Sequence, residues 1–67
     1  MAVAKIVEIT SSSTKSFDDA IKTGLARAAK TLEGITGAWV EEQKVVVKEG
    51  QIKEYRVDMR VNFILHE

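Results

Sequence analysis

Few side chains in this sequence suit acid–base or covalent chemistry. There is one His and no Cys. His66 sits one residue from the C-terminus, a position where side chains are seldom held in place. No other general base has an evident partner. Without Cys there is no disulfide framework, no thiolate zinc site and no Cys nucleophile. The run Thr10-Ser11-Ser12-Ser13-Thr14 is rich in hydroxyls but lacks the Gly pattern that lets a backbone cradle phosphate. With no acid/base constellation, the sequence predicts a protein that is not an enzyme.

What remains is the chemistry of recognition. Glu49-Gly50 reads as a two-residue hairpin turn, because Gly supplies the positive φ such a turn needs. Lys48 then faces Gln51, and the register follows. Trp39 lies opposite Arg60, Glu41 opposite Asp58, Gln43 opposite Arg56, and Gly37 opposite Asn62. Trp39 is the single Trp and falls on a polar strand face. An indole there calls for a cover: another subunit, a stacked Arg, or a planar ligand. Glu41 opposite Asp58 is a like-charge pair, unfavourable unless compensated. The diagonal neighbours Arg56 and Arg60 would compensate within an interface network. A bound cation would do the same, and oxygen-only ligands suit Ca²⁺ or Mg²⁺.

These residues depend on four elements for their positions. Residues 2–10 read as a strand, with Val3, Ile6, Val7 and Ile9 mostly β-branched. The Ser-rich run from Thr10 reads as a loop. Residues 16–33 read as a helix. Ser16 is the N-cap, with Asp19 three residues on as a short version of the capping box. Phe17, Ala20, Ile21, Gly24, Leu25, Ala28 and Leu32 recur at helical spacing and form one apolar stripe. Lys22, Arg27 and Lys30 fall off that stripe, and Gly34 is the natural stop. Residues 38–48 and 51–65 form the hairpin. Its last strand alternates strictly: Tyr55, Val57, Met59, Val61, Phe63 and Leu65 face the helix, and Glu54, Arg56, Asp58, Arg60 and Asn62 face away.

Lengths then matter. A fifteen-residue strand spans about 50 Å, and an eighteen-residue helix spans about 27 Å. One helix cannot cover that hairpin, so Val45, Val46, Val47 and Ile52 overhang and call for other subunits. A 67-residue chain of 7.4 kDa has a marginal core of its own and no Cys to staple it, which again points to oligomerisation. Ten Lys+Arg balance ten Asp+Glu. Zero net charge argues against nucleic-acid and anionic-membrane partners. At 45% hydrophobic and 30% charged residues, disorder is not expected. No apolar run approaches the roughly 20 residues of a membrane span, and no secretory signal opens the chain. The expected location is cytoplasmic, and residues 1–67 are expected to form one domain.

Over essentially its whole length the sequence resembles the dodecins. The resemblance is carried by Lys5-Ile6-Val7-Glu8-Ile9, Ala20-Ile21 and Ala26-Arg27-Ala28-Ala29-Lys30-Thr31-Leu32. It continues through Gly50-Gln51-Ile52-Lys53-Glu54-Tyr55-Arg56-Val57 and Val61-Asn62-Phe63-Ile64-Leu65. It implies an α+β subunit of β-α-β-β order, in which a three-stranded antiparallel sheet packs on one helix. It also implies a hollow homododecamer with flavins stacked in pairs between Trp side chains at two-fold axes. Gln51 matches the Gln that hydrogen-bonds the flavin ring. Other positions depart from the pattern. Flavin-binding dodecins typically carry Asp-Trp-Phe-Glu-Val after the helix, where this chain has Thr36-Gly37-Ala38-Trp39-Val40. Gly37 therefore holds the stacking slot, and Trp39 lies two residues on, about 6.6 Å along the same face. The usual Arg-Gly of the second strand is Lys44-Val45, and the segment with Glu42-Gln43 looks more like a subgroup that includes calcium-binding dodecins. The expected function is binding and sequestration of a small molecule, with riboflavin or FMN the first candidate. Its ligand-binding residues would be Trp39, Gln51, Gly37 and Arg60. The alternative is a flavin-free dodecin whose shell holds Ca²⁺ or Mg²⁺ or is purely structural.

Overall fold

Four elements follow one another in a computed structural model that describes residues 3–65: β1 (Val3–Ser13), α1 (Phe17–Ala28), β2 (Ile35–Lys48) and β3 (Gln51–Leu65). His66 lies outside the described residues. The strands form one antiparallel sheet in the order β1-β3-β2, with α1 against β1 and β3. This is the expected β-α-β-β subunit, three antiparallel strands on one helix. The strict alternation of β3 sets its faces. Val57, Met59 and Val61 are fully buried on the helix side, and Phe63 is nearly so. Ala20, Val57 and Met59 form the centre of the core, with Ile9, Phe17, Ile21 and Leu25 packed around it.

β1 is longer than its apolar pattern. The Ser run expected as a loop continues the strand, pairing Ser11 with Val57, Ser12 with Arg56 and Ser13 with Tyr55. The physical reason is the helix beside it. Ser11 Oγ donates to the Ala20 carbonyl at 2.7 Å, and Ser13 Oγ donates to the Asp19 carboxylate at 2.6 Å. Hydroxyls that would favour a loop in water are thereby satisfied inside the packed layer.

α1 begins where the sequence placed it. Ser16 Oγ accepts from the Asp19 backbone N–H at 3.0 Å, the N-cap bond. The Asp19 carboxylate does not close a capping box; it goes to Ser13 instead. The helix also ends early, at Ala28 rather than Glu33. Its last turn tightens, with Lys30 N–H donating to Arg27 and Thr31 N–H to Ala28, and the Thr31 hydroxyl lies 3.4 Å from the same Ala28 carbonyl. Gly34 has the positive φ expected of it, 74°, but stands beyond that turn. Its carbonyl accepts from Ile64 N–H at 3.0 Å, so it steers the chain into β2 rather than capping the helix. A twelve-residue helix spans only about 18 Å, beside a molecule 52 Å long. The overhang is therefore greater than the sequence suggests. β2 lacks a helix over it, and Val40, Val45, Val47 and Ile52 are exposed.

Candidate functional site

The site starts from the hairpin turn. Glu49 and Gly50 both take positive φ, 54° and 76°, as a type I′ turn requires, and Lys48 pairs with Gln51. Two bulges then act on the register. Lys53 on β3 has no partner, so Val46 faces Glu54 and Lys44 faces Arg56. Glu41 on β2 has none either, and this returns the strands to the original register. Trp39 therefore faces Arg60 and Gly37 faces Asn62, as expected. Between the two bulges the expected pairs are displaced. Gln43 faces Val57, not Arg56, and Glu42 faces Asp58 in place of Glu41. A third shift leaves Thr36 unpaired, and Asn62 Nδ2 donates to the Thr36 hydroxyl at 3.1 Å beside Gly37.

On the sheet face turned from the helix, Trp39 is 57% exposed. Gly37 sits two residues away on the same face, and a Cβ built on it meets nothing within 4 Å. Arg60 lies across from the indole, with its guanidinium paired to the Glu41 carboxylate. No cation stacks on Trp39 among the described residues, where the aromatic contact is the edge-on pair Phe17–Tyr55 at 5.1 Å. Arg56 lies on the same face and pairs with Glu54 at 3.5 Å. Asp58 accepts from the Thr10 hydroxyl at 2.9 Å, so β1 also reaches into this polar surface. The Glu41–Arg60 pair is one the sequence allowed, with Arg60 compensating the carboxylates from the diagonal, whereas the Thr10–Asp58 link was not foreseen because it needed Thr10 in a strand.

The chain thus brings Trp39, Gly37 and Arg60 together and leaves Gln51 apart. Gln51 is nine residues from Arg60 along β3, about 30 Å away. The bare Gly37 backbone and the exposed indole lie side by side on this face. The carboxylates are similarly sparse. Glu42 and Asp58 form one opposed pair, and no group of three His, Cys, Asp or Glu side chains stands together among the described residues. No helix among them is long and apolar enough to cross a membrane.

Comparison with known proteins agrees with this fold. The family model described as Dodecin matches residues 3–66. The dodecin of Thermus thermophilus is 38% identical over 65 residues, covering 97% of this chain and 94% of its own. The crystal structure of an Arg-to-Ala variant of the Thermus thermophilus dodecin superposes with a TM-score of 0.95 at 37% identity, over the whole of both chains. The calcium dodecin of Mycobacterium tuberculosis, a calcium-chelating antigen, is 31% identical with a TM-score of 0.83, covering 96% of this chain and 91% of its own. By whole-chain match and by topology, the chain belongs to the dodecin family.

Proposed function

We propose that this protein is a non-enzymatic homododecamer that binds and sequesters a small planar molecule, with riboflavin or FMN the first candidate. The observation that carries the reading is the exposed indole of Trp39 beside the open notch at Gly37, on the face away from the helix. Trp39 stacks the ring. The missing side chain at Gly37 leaves open space beside the stacked ring, and Arg60 borders it. Gln51 supplies the polar contact from a neighbouring copy, and symmetric subunits complete the walls. Loss of both indoles of a symmetric pocket removes two stacking contacts of about 0.5–1.5 kcal/mol each. That is roughly a five- to 150-fold loss of affinity.

Titration of riboflavin by fluorescence quenching tests this with wild type, Trp39→Ala and Gly37→Trp. Wild type is expected to quench, Trp39→Ala to bind more weakly, and Gly37→Trp to bind more tightly, because the notch has room for a second ring. Tight wild-type binding that ignores Trp39→Ala would overturn the stacking role. A second reading, a flavin-free shell that holds Ca²⁺ or Mg²⁺, is favoured by the opposed carboxylates of Glu42 and Asp58. It takes over if none of the three proteins quenches and calcium binding is lost in Asp58→Asn.

A further inference from the structure

Row by row, the sheet face that carries Trp39 changes character. One row holds Trp39 on β2, Arg60 on β3 and Glu8 on β1, with the Glu41 carboxylate on Arg60. The next row holds Gly37, Asn62 and Ile6, and it carries no charge. Ile6 is exposed, position 37 has no side chain, and the one polar group is the amide of Asn62. The row beyond it, Ile64 opposite Ala4, is apolar. Asn62 directly faces Gly37 and stands diagonal to Trp39, a separation of about 7–8 Å that a ring on the indole can bridge. Thr36, the residue that the register shift leaves unpaired, fixes which end of the amide faces out. Its hydroxyl has one proton, directed at the Asn62 main-chain carbonyl 3.5 Å away. The hydroxyl oxygen then offers the Asn62 side chain only lone pairs, and it accepts from Nδ2 at 3.1 Å. The amide nitrogen is held at Thr36 and the amide oxygen is left over. Asn62 Oδ1 accepts no hydrogen bond among the described residues, where no side-chain oxygen or nitrogen is both sealed from solvent and unbonded. It is therefore a solvent-facing acceptor, held in orientation, beside the open notch.

We propose that Asn62 reads the edge of the molecule that stacks on Trp39: Oδ1 accepts from a neutral ring N–H, and Thr36 is the positioning residue that turns the amide oxygen outward. The ligand class is then a planar heterocycle with a lactam or imide N–H on its rim. A carboxylate or phosphate edge would meet an acceptor and no cation in that row. A plain hydrocarbon ring would strip water from Oδ1 and replace it with nothing. Isoalloxazine meets the requirement through the imide N–H between its two ring carbonyls. The inference rests on the stacking reading above and adds to it a contact from the chain's own Asn62, separate from that of Gln51.

The test is a cycle of two ligands and two proteins read by fluorescence quenching. Riboflavin and 3-methylriboflavin, in which that imide N–H is capped, are each titrated with wild type and Asn62→Val. Val is close to Asn in size and suits a strand. Wild type is expected to prefer riboflavin by roughly two- to tenfold, the worth of one neutral hydrogen bond, and Asn62→Val to show no preference. An equal preference in Asn62→Val would mean that the methyl merely collides with the site, and would overturn the role of Asn62. A wild type that binds both ligands equally, while Trp39→Ala weakens both, would also overturn it and leave the stacking reading standing. A wild type that quenches neither ligand would overturn both. Thr36→Val should shrink the preference and Thr36→Ser should keep it; a full preference in Thr36→Val would overturn the positioning role of Thr36. If circular dichroism shows that Asn62→Val does not fold, Asn62→Ala takes its place with the same expected loss of preference.

Discussion

Gly24→Ala sets two well-characterised effects against each other. In an unobstructed helix interior the change stabilises by about 0.5–1 kcal/mol, because Ala has less backbone freedom to lose than Gly. At Gly24 the helix passes close over β1. A Cβ there would lie 2.8 Å from Ser11 Cβ, 3.0 Å from Ser11 Oγ and 3.0 Å from Met59 Cε. The Met59 methyl is the end of a flexible chain and can rotate aside. Ser11 Cβ cannot, since its backbone is paired with Val57 in the sheet. The helix must therefore lift, which loosens the 2.7 Å bond from Ser11 Oγ to the Ala20 carbonyl. Overpacking costs about 1–3 kcal/mol, and the loosened hydrogen bond about 0.5–1.5. After the propensity gain, the expected net is a destabilisation of roughly 0.5–4 kcal/mol. Urea unfolding followed by circular dichroism, at one fixed subunit concentration because assembly is linked to stability, measures it. In a Ser11→Gly background the obstruction is gone, and the same substitution should be close to neutral or stabilising. A Gly24→Ala protein more stable than wild type would show that α1 rides higher on β1 than described.

The core predicts an ordering. Met59→Ala, at a fully buried position, should cost about 2–5 kcal/mol, and Leu25→Ala, only partly buried, should fall near the bottom of that range; the reverse order in urea unfolding would mean the helix stripe is rotated. Gly50→Ala forces an L side chain to keep a φ of 76° and should cost about 1–2 kcal/mol by the same assay, whereas no change would mean the turn is not of the positive-φ kind.

Where one physical signal dominated, the sequence was readable. The alternation of β3 from Tyr55 to Phe63 set both faces of the sheet, and the stripe from Phe17 to Ala28 set the buried side of α1, while Leu65 is exposed and Leu32 lies beyond the helix. Two local signals misled because tertiary partners outweighed them. Ser11 and Ser13 read as loop residues until Ala20 and Asp19 are there to take their hydroxyls. Thr31 reads as helical until it turns back on the Ala28 carbonyl. The bulges left no trace in the pattern. Residues 41 and 42 are both Glu, so a one-residue slip keeps a carboxylate opposite Asp58 either way. Because Lys53 and Glu41 lie on opposite strands, their slips cancel. The pairings on the far side, Trp39 with Arg60 and Gly37 with Asn62, came out right although those between did not.

The Glu41 bulge also narrows what can cover Trp39. The sequence allowed three covers: a stacked Arg, another subunit or a planar ligand. An unbulged Glu41 would lie directly across from Asp58, with Arg60 on the diagonal. The bulge releases Glu41 from that pairing and brings its carboxylate to Arg60. Among the described residues Arg60 is paired with Glu41 and no cation stacks on the indole. The remaining covers both come from outside the chain. On the Gly37 side no side chain stands within 4 Å of where a Cβ would be. A flat molecule on the indole can therefore extend over bare backbone in that direction, while a wider side chain at position 37 would rise as a wall or offer a second stacking surface. Gly37 thus leaves the space beside the indole open on this face.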